Sequence, residues 1–140
     1  MNLFFAYGSL IFNEVMIAVT GRHFESVTAT LSGHARYLVA DTTYPGLIES
    51  PDGEVDGALY ADLDVAAYRI LDRFEGEYYQ RRKVRVAANL GSEFGAETYV
   101  FKPQYQHLLT QEDWDSEAFR ENHLQTFLAS YKGFNEIEPS

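Results

Sequence analysis

Residues 3–10 read LFFAYGSL, an apolar run that passes directly into Tyr7, Gly8 and Ser9. Four consecutive apolar residues without polar alternation are typical of a short strand that is buried on both faces. A glycine and a serine at the end of such a strand allow three interpretations: a serine nucleophile, a ligand-binding loop, or a structural turn. Each interpretation requires different partners elsewhere in the chain.

Composition limits the classes of function that the chain can have. The 140 residues, 46% of them hydrophobic, predict a single domain over residues 1–140 with its own core. Asp and Glu number 21 and Lys and Arg 11, which gives a net charge of −10, so no nucleic-acid partner is expected, because phosphate binding needs a basic surface. The absence of cysteine excludes thiol catalysis and thiolate metal sites and fits a cytoplasmic location. No signal peptide and no membrane span are predicted.

Strand signals occur along most of the chain. Apolar runs and alternation predict strands at 3–6, 26–33, 35–41, after Pro45-Gly46, at 54–64, and in a hairpin around 84–86 and 98–101 with a loop at 89–95. The SPDGE segment at 50–54 predicts a turn from its Pro-Asp-Gly content. Gly57, inside a predicted strand, indicates a bulge or the close approach of another backbone.

Three segments carry helix signals. Asn13 is a candidate N-cap for a short helix over 14–19 that ends at Gly21, and Asp64 is a candidate N-cap for a second helix that ends at Gly76. Residues 115–134 predict a closing helix. Its apolar stripe consists of Leu124, Phe127, Leu128 and Tyr131, and Gly133 ends it. Together these elements predict an α+β fold with a mixed, largely antiparallel sheet that can close into a barrel, with helices packed outside.

Glu75 is the most informative acidic residue, because it lies in the last turn of the second predicted helix. The negative end of the helix dipole and any burial would both raise the pKa of its carboxyl group. A raised pKa suits a general base or acid that works near neutral pH. The alternative is an exposed carboxylate without a function, and a glycosidase pair with Glu77 is a weaker interpretation.

Ser9 lacks the sequence context of a nucleophile. The nucleophile elbow reads Gly-x-Ser-x-Gly, whereas residues 7–11 read YGSLI. The four histidines, at positions 23, 34, 107 and 123, are scattered, so they predict neither a catalytic base nor a metal site. Gly8 and Ser9 fit a ligand-binding loop better, because a glycine permits close backbone approach and successive N–H groups can hold an anion or a carbonyl oxygen. A plain structural turn is the alternative.

Four segments, in order along the chain, resemble one known family. They are YGSL at 7–10, YPGL at 44–47, VDGALY at 55–60 and LDRFEGEYYQRRKV at 71–84. Together they resemble the gamma-glutamylcyclotransferase-like family, and within it the small gamma-glutamylamine cyclotransferase branch. The resemblance runs from Asn2 to about Phe101 and implies an α+β fold with a six-stranded, β-barrel-like core flanked by helices.

The resemblance also implies a cofactor-independent enzyme. In this family the free α-amine of a γ-glutamyl group attacks its own γ-carbonyl, which gives 5-oxoproline and releases an amine or a peptide. The catalytic glutamate of the family corresponds to Glu75. The substrate-binding residues that the resemblance implies are Tyr7, Gly8, Ser9, Leu10, Gly46 and Tyr79.

Physical chemistry agrees with these implied roles and leaves some of them open. Glu75 can take a proton from the substrate's ammonium group and later protonate the leaving nitrogen. Backbone N–H groups at 8–10 can hold either the developing oxyanion or the α-carboxylate. The aromatic-rich segment 103–114 is a candidate wall for the leaving group.

The predicted partner is a small-molecule γ-glutamyl substrate, and the predicted protein is a monomer or weak homodimer without a metal, a nucleic-acid partner or a membrane partner. Two other functions stay open at this point. One is a non-catalytic module that binds a small amino-acid-like ligand on the same fold, since a fold does not guarantee activity. The other is the removal of a γ-glutamyl protecting group from a biosynthetic product.

Overall fold

The computed structural model describes residues 2–88 and 91–130. Within these residues a closed barrel has five strands: β1 (Phe4–Ala6), β2 (Ser26–Leu38), β3 (Pro45–Tyr60), β4 (Tyr79–Ala88) and β5 (Ser92–Phe101). The helices of the same residues are α1 (Asn13–Thr20), α2 (Val65–Glu75), α3 (Ser116–Asn122) and α4 (Leu124–Ser130), with 3-10 turns at Ser9–Ile11 and Pro103–Leu108. None of these helices is long and apolar enough to cross a membrane.

The β1 strand shows why the opening apolar run is buried on both faces. It pairs antiparallel with β3 and parallel with β5, and so closes the barrel. Leu3, Phe5 and Tyr7 belong to the hydrophobic cluster inside the barrel. Phe4 and Ala6 alternate with them and belong to the cluster that the barrel shares with the helices. The other strand pairs are antiparallel, which confirms the predicted α+β fold with a mixed, largely antiparallel barrel.

The implied count of six strands is wrong, because segments predicted as separate strands are continuous. β2 passes through Gly33, whose φ of 77° is left-handed, and the β2–β3 register shifts between Ser32 and His34. The SPDGE segment at 50–54 forms the other side of this irregularity and stays within β3 instead of turning. A Cβ on Gly53 would lie 2.1 Å from the His34 carbonyl oxygen, so the two backbones approach too closely for any other residue.

The β4–β5 hairpin is longer than predicted. Its ladder extends to the Ala88–Ser92 pair, so most of the loop predicted at 89–95 belongs to β5. Gly91 has a left-handed φ of 96° immediately before β5. The exposed residues Glu93 and Gly95 interrupt the apolar pattern at the start of β5, which is why the sequence did not locate it.

The helix predictions are confirmed for both ends of α2 and for the end of α1 at Gly21, and are corrected elsewhere. The Asp64 carboxylate accepts a hydrogen bond of 2.9 Å from the Ala67 amide, and Gly76 ends α2 with a φ of 80°. Asn13 is the first residue of α1 and not its N-cap. The predicted closing helix is interrupted at His123, which separates α3 from α4. Two predicted features of that helix lie outside the described residues: Tyr131 and Gly133.

Gly57 marks the close approach that the sequence predicted in β3. A Cβ on Gly57 would lie 2.1 Å from the Ala6 carbonyl oxygen of β1. We expect Gly57→Ala to lower the free energy of unfolding by about 3 kcal/mol, because β1 must move to admit the methyl group. Urea denaturation measures this loss. Gly95→Ala is the matched control, since space around Gly95 is open, and a similar loss in both variants would contradict the close approach.

Candidate active site

A cavity of about 260 Å³ lies where β1 passes into the 3-10 turn, next to the C-terminal end of α2. Its wall comes from residues 4–10, 43–45, 74–75, 78–79, 99, 119 and 127. The volume suits part or all of a small molecule rather than a folded partner. Glu75 is the one charged side chain among the described residues of this wall.

The carboxyl group of Glu75 is held in the cavity by the way α2 ends. Asp64 starts the helix and Gly76 ends it, so Glu75 is the last helical residue. The residue keeps partial exposure because the cavity is open, while protein atoms surround the carboxyl group closely. This burial raises the pKa of Glu75 to about 8, and no described residue forms a hydrogen bond or ion pair with its carboxylate. At neutral pH the group therefore exchanges a proton readily, as a general acid or base must.

Four tyrosine rings surround this carboxyl group. Burial, together with the nearby charge of Glu75 and other neighbours, raises the pKa of each of them: Tyr7, Tyr44, Tyr79 and Tyr99. The hydroxyl of Tyr79 donates to the Pro45 carbonyl at 2.7 Å, and that of Tyr7 donates to the Tyr99 carbonyl. These hydroxyl groups stay protonated, and those of Tyr7 and Tyr79 connect parts of the cavity wall by hydrogen bonds.

The YGSL segment forms a tight turn, and the first amides of this turn have no hydrogen-bond acceptor among the described residues. The Ile11 amide donates to the Gly8 carbonyl at 3.0 Å, and the Phe12 amide donates to the Ser9 carbonyl at 3.2 Å. The amides of Ser9 and Leu10 precede these bonds and have no acceptor among the described residues. Two adjacent N–H groups at the cavity wall can bind an anion or a polarised carbonyl oxygen.

Two distant side chains fix the position of this turn. Arg36 of β2 donates to the Tyr7 carbonyl at 2.9 Å and forms an ion pair with Asp113 at 2.8 Å. The hydroxyl of Tyr60, from β3, donates to the Leu10 carbonyl at 2.7 Å. The carbonyl groups on either side of the turn are thus held by the barrel, and the Ser9 and Leu10 amides between them have no partner in the described part of the chain.

Six of the seven predicted site residues line the cavity together: Tyr7, Gly8, Ser9, Leu10, Glu75 and Tyr79. The seventh, Gly46, does not line it. A Cβ on Gly46 would lie 2.8 Å from side-chain atoms of Phe101 and Leu109, so the missing side chain makes room for core packing. A role for Gly46 in substrate binding stays a prediction.

The ten Tyr and ten Phe residues suit an aromatic-lined cavity, but the sequence did not identify which residues form the aromatic part of the wall. Its members are Tyr44, Phe74, Tyr78, Phe119 and Phe127. The first three lie within or beside the motif segments, and this proximity was the available signal. The last two come from α3 and α4, where the apolar pattern indicated core packing only. A helical stripe that packs in a core and one that lines a cavity have the same periodicity.

The segment predicted to form the leaving-group wall has another role. None of residues 103–114 lines the cavity. The indole Nε1 of Trp114 donates to the Thr43 carbonyl at 2.8 Å, and the Trp114 ring packs against Phe119 with centroids 5.7 Å apart. The segment therefore supports the wall from behind.

A metal site, or a base that activates Ser9, would need suitable side chains at the cavity. Among the described residues, no three His, Cys, Asp or Glu side chains are grouped so that they could hold a metal ion. None of the cavity-lining residues of the described chain is a histidine. Ser9 lines the cavity together with Glu75, whose carboxyl group can carry a proton.

Among the described residues, a closed barrel carries one carboxyl group in its cavity wall beside a glycine–serine turn, an arrangement that can do acid–base chemistry on a small ligand. The comparisons with known proteins give the family. A family model described as "Gamma-glutamyl cyclotransferase, AIG2-like" matches residues 4–116, and the chain belongs to this family. AIG2-like protein C of Arabidopsis thaliana is 33% identical over 133 residues, which are 94% of this chain and 77% of the relative.

Solved structures share the fold. A solution structure of an Arabidopsis thaliana protein has a TM-score of 0.69 at 27% identity, and the alignment covers 97% of this chain and 81% of that one. A structure named gamma-glutamyl cyclotransferase has a TM-score of 0.64 at 21% identity, with coverage of 94% and 88%. At that identity the second likeness concerns the fold alone.

The raised pKa of Glu75 makes stability depend on pH. Between about 4.5 and 8 the unfolded chain loses this proton while the folded chain keeps it, so the free energy of unfolding falls as pH rises. Glu75→Gln should therefore raise the free energy of unfolding at pH 9 by about 2–4 kcal/mol and change it little at pH 4. Urea denaturation at both pH values measures the difference. Glu77→Gln, at an exposed position, is the control, and equal effects of the two variants would contradict the burial of Glu75.

Proposed function

We propose that the protein is a gamma-glutamyl cyclotransferase that releases 5-oxoproline from a γ-glutamyl amine or a small γ-glutamyl peptide. The single observation that carries this proposal is the buried carboxyl group of Glu75 beside the YGSL turn, which no described residue pairs with. Family membership supports the reaction class, since the matching family model is described as gamma-glutamyl cyclotransferase. The substrate supplies its own nucleophile, so the protein needs no attacking side chain.

Glu75 accepts the proton that prevents the substrate's α-amine from acting as a nucleophile. The α-amine of the substrate arrives as an ammonium group, with an ordinary pKa of about 8. The Glu75 carboxyl group has a similar pKa of about 8, so proton transfer between the two groups is close to balanced in free energy. A matched pair of this kind favours transfer in both directions, which the reaction requires.

The freed amine then attacks the γ-carbonyl carbon of the same molecule. A new C–N bond closes the five-membered lactam, and the C–N bond to the leaving group breaks. The lactam nitrogen keeps one of the three ammonium hydrogens, and Glu75 passes the other two to the departing nitrogen, which leaves as an ammonium ion. Because both reacting groups belong to one bound molecule, holding the bent conformer supplies much of the rate enhancement.

The groups available to bind the anionic parts of the substrate are uncharged hydrogen-bond donors. No described side chain of the wall is a cation, so the amides of Ser9 and Leu10 and the Ser9 hydroxyl are the donors that this part of the chain offers. They suit the α-carboxylate or the oxyanion that develops on the γ-carbonyl. Their fixed orientation, set by Arg36 and Tyr60, means that little reorganisation is needed on binding.

The test is Glu75→Gln, which keeps the shape of the side chain and removes its ionisation. We expect 5-oxoproline formation from a panel of γ-glutamyl amides and peptides to fall by at least about 1,000-fold, because the proton acceptor and donor are both lost. Glu77→Gln is the matched control and should keep near-normal rates. Full activity in Glu75→Gln would remove this residue from the mechanism. If the unaltered protein is stabilised thermally by one compound and turns over none, it is a binding module.

Ser9→Ala separates a binding role from a nucleophilic role. The backbone amides remain in this variant and only the hydroxyl group is lost, so we expect kcat/KM to fall about three- to tenfold. Steady-state kinetics on the same substrate measures the change. Complete loss in Ser9→Ala with normal rates in Glu75→Gln would reverse the assignment of roles.

A further inference from the structure

We propose that Arg36 is a positioning residue of the active site whose positive charge helps to bind the anionic part of the substrate without touching it. The guanidinium group lies behind the YGSL turn and acts through the peptide group that joins Tyr7 to Gly8. This inference rests on the proposed cyclotransferase activity and deepens it by adding a residue that does not line the cavity.

The substrate brings negative charge to an acidic protein. The chain has a net charge of −10, and Glu75 is the one charged side chain of the described cavity wall. At this described wall the α-carboxylate, and the oxyanion that develops on the γ-carbonyl, meet hydrogen-bond donors but no cation. A fixed positive charge close behind the donors lowers the cost of placing either anion there.

The guanidinium group of Arg36 is fixed by three neighbours. Its Nη1 donates to the Tyr7 carbonyl at 2.9 Å, and its Nε donates to the Asp113 carboxylate at 2.8 Å. Its Cζ lies 5.4 Å from the centre of the Trp114 ring, within the range of a cation–π contact. The side chain is 16% exposed, so solvent screens its charge less than the charge of a surface arginine.

One peptide group carries the influence of Arg36 to the cavity. The Tyr7 carbonyl and the Gly8 amide belong to the same trans peptide, so the amide points away from the guanidinium group. Gly8 lines the cavity, and its amide donates to no described acceptor. A hydrogen bond from a charged donor polarises the peptide and makes its N–H group a stronger donor. Gly8 thereby joins the amides of Ser9 and Leu10 as a third donor.

The field of Arg36 also acts on a side chain of the wall. Burial and the nearby Tyr79 and Glu75 raise the pKa of the Tyr7 hydroxyl, and the positive charge of Arg36 acts in the opposite direction. Asp113 cancels this field only in part, because its side chain is 66% exposed and water screens its charge.

Support of the turn does not by itself require a charge. On the other side of the turn, the neutral hydroxyl of Tyr60 holds the Leu10 carbonyl at 2.7 Å. A guanidinium group costs more to remove from water than a hydroxyl group, and Arg36 is mostly buried. This placement is explained if the charge acts on the ligand.

The experiment separates the charge of Arg36 from its hydrogen bonds. Arg36→Gln keeps a donor without the charge, and Arg36→Lys keeps the charge. Asp113→Asn removes the opposing charge, while its Oδ1 can still accept from Arg36 and from the Trp114 amide. We expect kcat/KM for 5-oxoproline release to fall at least about tenfold in Arg36→Gln and to stay within about threefold in Arg36→Lys. In Asp113→Asn it should stay level or rise by up to about threefold.

Arg22→Gln is the matched control. Arg22 also pairs with an aspartate, Asp64, at 2.9 Å and lies over an aromatic ring, that of Phe24, but it does not line the cavity. Its kcat/KM should equal that of the unaltered protein, and urea denaturation verifies that each variant is folded in the assay.

Three results would overturn the proposal. They are normal activity in Arg36→Gln, equal losses in Arg36→Gln and Arg36→Lys, and a loss in Asp113→Asn as large as that in Arg36→Gln. If Arg36→Gln does not fold, Asp113→Asn decides, because a purely supporting role of the ion pair predicts a loss in that variant and the proposal predicts none.

The split between KM and kcat identifies the anion on which the charge acts. A higher KM with an unchanged kcat in Arg36→Gln assigns the charge to the α-carboxylate, and a lower kcat with an unchanged KM assigns it to the oxyanion. Either split supports the proposal, provided that Arg36→Lys restores the lost parameter.

Calorimetry separates failure of this inference from failure of the proposed function. The ligands are 5-oxoproline, which carries a carboxylate, and 2-pyrrolidinone, the same lactam without it. If no γ-glutamyl compound is turned over and only the affinity for 5-oxoproline falls in Arg36→Gln, the cyclotransferase proposal fails and the role of Arg36 at an anion site stands. If 5-oxoproline is released and kcat/KM does not follow the charge, only the inference about Arg36 fails.

Discussion

The buried carboxyl group of Glu75, which has no counter-ion among the described residues, is the constraint around which this structure is arranged. Burial raises the pKa of Glu75 to about 8, which means that its charged form destabilises the folded state. The surrounding structure must therefore hold the end of α2 in place against this cost. One such tie lies one turn earlier on the helix, where Asp72 accepts a hydrogen bond of 2.6 Å from the hydroxyl of Tyr99 on β5. Arg81 on β4 approaches the same carboxylate at 3.7 Å and extends the tie to a second strand.

The buried carboxyl group of Glu75 also bears on the role of the YGSL turn. The described wall of the cavity has one carboxyl group and no histidine, so under the proposed function the attacking group comes from the ligand. Under the same proposal, the turn holds a substrate whose own amine and carbonyl must meet. Gly8 fits this role sterically, because a Cβ on it would lie 3.0 Å from the ring of Pro45. The opening strand is buried on both faces so that this turn, directly after it, has a rigid base.

Features encoded by neighbouring residues could be predicted from the sequence, and features that depend on distant pairing could not. The apolar run of β1, the Asp64 cap and the Gly76 end of α2 are local signals, and they place Glu75 correctly at the helix end. The continuity of β3 through the SPDGE segment depends on its pairing with β2, which a Pro-Asp-Gly signal does not reveal. Arg36 gave no local signal either, because its partner is the Tyr7 carbonyl, 29 residues away in the sequence.

The cavity was the least predictable feature, because different physical requirements restrict the residue types in its polar half and in its aromatic half. The polar half consists of a turn and a helix end, whose residue types are restricted by backbone geometry and proton chemistry. The aromatic half needs only bulk and apolarity, which the core needs as well, so Phe127 on α4 could not be distinguished from a core residue in advance. A half with such loose requirements can change its size and shape by substitution while Glu75 and the turn stay as they are. Such substitutions can therefore alter which small ligand the cavity accepts while the fold and the polar half stay unchanged.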